Sequence, residues 1–174
     1  TTAPYKPQRP CTDSKHARYW KGSKTVKKLL NASLIYMIAG LSAGVFYREF
    51  TKINEFPEGQ FTQLGVAHTH LLALGFMAFL IFLVIEKAFA ISRSPKLFGW
   101  FFWLYNAGVI VTSAMMIWHG TLTVLGKESS AMISGIAGLG HIAITAALIV
   151  FFVALRRAVK TSATASSATE AASA

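Results

Sequence analysis

The sequence predicts an all-α integral membrane protein, a four-helix bundle with both termini in the cytoplasm. Three observations carry this. The chain is 53% hydrophobic and only 14% charged, too apolar to dress a soluble domain in a polar shell. Four continuous apolar stretches, about 29–47, 64–85, 98–123 and 132–155, each approach the ~20 residues that carry a helix across ~30 Å of hydrocarbon. Finally, Lys and Arg fall on alternate sides of these stretches, as a serial crossing requires.

Residues 1–28 hold eight basic side chains and no apolar core of signal-peptide length, and read as a basic cytoplasmic tail. Cys11, the sole cysteine, excludes an intrachain disulfide and a Cys-based zinc site. Within 29–155, backbone groups facing lipid must be satisfied internally, so the spans become helices, and short connections make neighbours antiparallel. Gly40 and Gly44 form a small-xxx-small face for a close helix approach, within one chain or between copies. Pro57 marks the first outer loop and Pro95 the start of the third span, where a missing N–H is harmless. Glu86 and Lys87 close the second span as a solvated end. Residues 156–174 begin basic and continue as an Ala/Ser/Thr-rich tail without a burial pattern, read as disordered.

The charge count sets the orientation. The first tail, the loop with Lys87, Arg93 and Lys96, and the segment with Arg156, Arg157 and Lys160 together hold fourteen of the seventeen Lys and Arg. Only Arg48, Lys52 and Lys127 lie on the other side, so the positive-inside rule leaves both ends in the cytoplasm. The same distribution assigns the net charge of +10 to topology and anionic headgroups and excludes nucleic acid, because the basic residues flank apolar spans and form no aromatic-interleaved face.

Apart from His16 in the tail, the histidines are His68 and His70 in the second span, His119 in the third and His141 in the fourth. At 1.5 Å per residue they lie roughly 6 to 13 Å below the outer surface, in one layer supplied by three helices. A lone histidine in a membrane helix often only bonds a neighbour. Four in one layer point to a ligand site, since polar groups in hydrocarbon are expensive. His68 and His70 are about 200° apart around a helix and should serve different places. Met115 shares a face with His119, so sulfur and imidazole could converge on copper or a haem axial position. Arg48 at the outer end of the first span could pair with a haem propionate, and Glu49 could join imidazoles around zinc. Glycines at 65, 120, 135, 138 and 140 leave room for a flat macrocycle or for close packing.

The run from Gly44 through Tyr47, Arg48, Glu49 and Lys52, with His68, Thr69, His70 after it, resembles a family of small bacterial membrane proteins known as domain of unknown function 2871. The likeness continues through Tyr105 and Asn106, His119 to Gly126, and Ser134 to His141, covering about 29–155. It implies the topology and a bacterial cytoplasmic membrane, and supplies no activity. His68, Thr69, His70 is also similar, more weakly, to the His-x-His helix of haem-copper oxidase catalytic subunits, where each histidine serves a separate haem. Three functions therefore stand open: a haem b protein in electron transfer or diatomic-gas handling, with His70 and His141 as axial pair; a copper or zinc protein of the outer face; and a cofactor-free accessory subunit of a larger membrane complex. Burying both faces of the His-x-His helix favours a homo-oligomer. Whether the chain is an enzyme is left open.

Overall fold

After Pro10 no proline occurs until Pro57, and within that interval one unbroken helix runs from Asp13 to Ile53. In this computed structural model, which describes the backbone of residues 13–173 and the side chains of residues 24–161, α1 runs Asp13–Ile53. Then come α2 over Gln63–Phe89, a 3-10 turn at Ile91–Arg93, α3 over Pro95–Val124 and α4 over Ala131–Ser173. Four segments are long and apolar enough to cross a membrane: Lys24–Ile53, Gln63–Phe89, Pro95–Val124 and Ala131–Thr161. Each exceeds the stretch read from hydropathy, because helices continue into polar flanks that hydropathy cannot see.

One expectation needs correcting: the Ala/Ser/Thr-rich segment read as disordered continues α4 to Ser173, and the basic segment before the first span is helical from Asp13 onward. Alanine is the best helix former, and residues 161–173 contain neither Gly nor Pro to break the helix. Cys11 lies outside the described residues, and so does the side chain of His16.

The helix ends explain the turns. Thr62 has extended φ/ψ, its hydroxyl accepts from Leu64 N–H at 3.4 Å, and the same hydroxyl donates to the Gly120 carbonyl at 3.0 Å, capping α2 and tying it to α3. At the other end Ala90 adopts a left-handed conformation (φ 51°) and closes α2. Glu86 is buried here at 4% exposure, against the expectation of a solvated end. Its carboxylate accepts from the Ser92 N–H and hydroxyl, so it organises the turn into Pro95, the first residue of α3.

Helix α1 packs along α2, α2 leans on α3, and α3 packs along α4, whereas α1 stands off from α4 and meets α3 chiefly through the Tyr36–Asn106 hydrogen bond. Lipid offers no hydrophobic drive between helices, so close packing and polar bonds do this work. Toward the end of the spans that carries Lys28, Lys87 and Arg156, hereafter the basic end, aromatic rings fill the interior. Phe82 meets Phe101, Tyr105 and Phe151 at centroid separations of 4.9, 5.2 and 4.8 Å. Small residues make the crossings. A Cβ on Gly108 would fall 2.8 Å from the Gly140 carbonyl oxygen, and one on Gly40 would fall 2.7 Å from Leu72. The Gly40/Gly44 face thus packs within the chain, against α2. Trp100, Trp103 and Trp118 are 70%, 70% and 58% exposed, the outward placement of an aromatic belt.

Candidate functional site

The histidines gather at the end of the bundle opposite the basic end, and two of them meet. His70 of α2 and His141 of α4 face each other with ring centroids 6.2 Å apart and planes at 79°. His70 is half-buried and His141 exposed. His70 Nδ1 lies 3.3 Å from the Val66 carbonyl and His141 Nδ1 3.0 Å from the Ala137 carbonyl, each one turn back on its own helix. A carbonyl only accepts, so each Nδ1 carries the proton and each Nε2 is left with its lone pair. A centroid separation of 6.2 Å is short enough for one metal ion to be held between the two rings if both Nε2 atoms turn toward it, with metal–nitrogen bonds of about 2 Å.

His68 goes elsewhere, as the 200° spacing requires. Its ring stacks on Tyr47 of α1 at 6.2 Å and 12°, and a Cβ on Gly44 would touch it at 3.7 Å. Its Nδ1 is buried without a hydrogen-bond partner, and the same holds for Nδ1 of His119. No ring contact or hydrogen bond joins His119 to another histidine among the described residues, and Met115 beside it is half-buried. Arg48 and Glu49 pair with each other at 3.6 Å with side chains 79% and 50% exposed, a surface pair that contributes little. Arg48 stands on α1, away from α4, so it is not beside the His70–His141 contact. No three of His, Cys, Asp and Glu converge on one point among the described residues.

Two residues that sequence reasoning missed lie in the same half of α3. Thr112 (1% exposed) and Ser113 (3%) have buried hydroxyls without partners, and Thr112 packs directly on Gly140, the neighbour of His141. Nothing in the sequence separates Thr112 from Thr69, Thr121, Thr123 and Thr145, whose hydroxyls all donate to the carbonyl four residues back.

The helix changes character directly after His70. Residues Leu71–Met77 form a π-helix, in which the Ala78 N–H reaches the Ala73 carbonyl five residues back. Such segments are rare and concentrate at functional sites. This one is held from both sides: Tyr105 O–H of α3 donates to the Leu74 carbonyl at 2.9 Å, and Ser33 O–H of α1 donates to the Phe76 carbonyl at 3.2 Å. Gly75 admits the Tyr36 ring, which a Cβ would meet at 2.5 Å, and Tyr36 O–H donates to Asn106 Oδ1 at 3.0 Å.

On the open side of the His70–His141 contact, α2 and α4 make at most marginal contact in this half. Gly135 and Gly138, on the turns preceding His141, face empty space where a Cβ would stand. The candidate site is therefore the His70–His141 pair itself, set between α2 and α4 with His141 open on the outer surface of α4.

A family model described as protein of unknown function (DUF2871) matches residues 26–158. No curated protein and no solved structure matches the chain.

Proposed function

The chain belongs to the DUF2871 family, whose description assigns no activity, and we propose that it is a haem b protein of the bacterial cytoplasmic membrane that carries electrons, with His70 and His141 as its two axial ligands. The observation that carries this reading is the 6.2 Å separation of two imidazoles whose Nδ1 atoms both donate to backbone carbonyls. Two imidazoles this close, each with its Nε2 free of the backbone, could together hold a haem iron. A tetrahedral zinc site needs three or four protein donors in one place, so the pair suits haem better than zinc. An iron held by both imidazoles would have no position open to a gas, and this favours electron transfer over gas handling.

The bound group supplies one-electron redox chemistry; the chain's own residues hold and tune it. The Val66 and Ala137 carbonyls fix the tautomers and raise ligand basicity. Tyr105 and Ser33 would steady the π-helix that begins after His70. Because His141 is exposed in the single chain, a second copy laid on this face of α4 would cover the edge of the ring, consistent with a homo-oligomer.

The test is the absorption spectrum of protein purified from haem-replete cells. A Soret band with the narrow reduced bands of six-coordinate, low-spin iron is expected. His70→Ala and His141→Ala should each lower bound haem at least about ten-fold, since even outer-shell changes cost ten-fold or more, while His68→Ala keeps it. Colourless parent protein, or equal loss in all three variants, would sink the assignment.

A further inference from the structure

On the opposite side of the bundle the chain leaves a second opening. Helices α1 and α3 run parallel with α2 behind them, and the gap between them is a groove of about 840 Å³ that extends from Lys28 to Phe46. Its walls include Ile35 of α1 and Trp103, Ile110 and Ala114 of α3, and Leu71 forms part of its floor. Ile35, Trp103 and Ile110 are 63%, 70% and 56% exposed, so this surface is turned to whatever fills the gap. The polar pair inside it, Tyr36 and Asn106, is closed on itself by the 3.0 Å hydrogen bond.

The order of side chains along α1 says what chemistry fits. Lys28 stands at the mouth, Asn31 one turn deeper, and from Ala32 onward the stripe is dominated by hydrocarbon. The rise from Lys28 to Asn31 is about 4.5 Å and from Asn31 to Phe46 about 22 Å. Cation, amide and then hydrocarbon match in order the phosphate, ester carbonyl and acyl chain of a glycerophospholipid, and an acyl chain of one leaflet, about half of a ~30 Å core, would take up about the first two-thirds of the groove. We propose that this groove is a binding site for one anionic phospholipid of the leaflet at the basic end, with its phosphate on Lys28, an ester carbonyl on Asn31 and one acyl chain lying between α1 and α3. The groove's lining includes neither His70 nor His141.

The test is native mass spectrometry of protein released from nanodiscs of equimolar phosphatidylglycerol and phosphatidylcholine. One phosphatidylglycerol retained per chain is expected, preferred about five-fold, the weight of a single cation near an anionic headgroup. Lys28→Gln, at an exposed position, should bring that preference close to parity with a lipid still bound. Ala114→Trp, which puts bulk on an exposed wall, should displace the lipid whatever its headgroup. Equal retention of the two lipids by the parent, an unchanged preference in Lys28→Gln, or a quinone or second copy of the chain in the groove would overturn the proposal.

Discussion

His70 and His141 differ from His68 and His119 in one atom: Nδ1 has a carbonyl in the first two and no partner in the second two. Sequence spacing alone puts His68 and His70 on different faces, and helix depth puts His141 level with His70. A carbonyl four residues back stands one turn behind every one of these rings, so it is the rotation of each ring, set by packing, that decides which Nδ1 uses it. The isolation of His119 is not legible in the sequence, because its rotation depends on how α3 packs against α4. Thr112 illustrates the same limit, as its unpaired hydroxyl is a result of the close Gly140 crossing. A buried hydroxyl without a partner costs about 1 to 3 kcal/mol. Thr112→Val keeps the shape and removes that cost, so thermal unfolding of the cofactor-free protein in detergent should show a gain of about 1 kcal/mol. A loss instead would show that the hydroxyl has a partner in the bilayer.

At the scale of helices, glycines of one type do two jobs. A Cβ on Gly140 would collide with the Thr112 hydroxyl and lie 3.1 Å from the Gly108 carbonyl oxygen, whereas one on Gly138 would meet nothing. Gly140→Ala should therefore force α3 and α4 apart and destabilise the fold by about 1 to 3 kcal/mol. Gly138→Ala should leave stability unchanged or raise it by up to about 1 kcal/mol through helix propensity. Unfolding by denaturant in mixed micelles separates the two, and equal effects would refute the assignment of Gly140 to the crossing. The four helices are visible in the sequence because hydrocarbon thickness dictates their length. The π-helix is not, since Leu71–Met77 reads as ordinary helix, and its widening is held by Tyr105, Ser33 and Tyr36, which lie at least 31 residues away from the groups they hold. Glu86 escapes sequence reading for a related reason: its partner Ser92 approaches only after Ala90 turns left-handed.

For the whole molecule, the expected orientation rests on fourteen basic residues on one side against three on the other. Cys11 is the only thiol, which makes the orientation testable with a membrane-impermeant maleimide on intact cells. Cys11 should react only after permeabilisation, whereas a Glu58→Cys variant built on Cys11→Ser should react at once. The reverse pattern would invert the topology. Packing divides the chain into two helical hairpins, α1 with α2 and α3 with α4, that touch chiefly through α2 and α3. Each hairpin contributes one imidazole of the close pair, so neither alone contains the pair. The consequence is a molecule that can be cut and scored for reunion: residues 1–92 and 93–174, co-expressed as separate chains, should find each other in the bilayer as preformed helices do. Under the haem assignment, colour would appear only when both fragments are present. A coloured fragment on its own would place the ligands within one hairpin, contrary to the division of His70 and His141 between two.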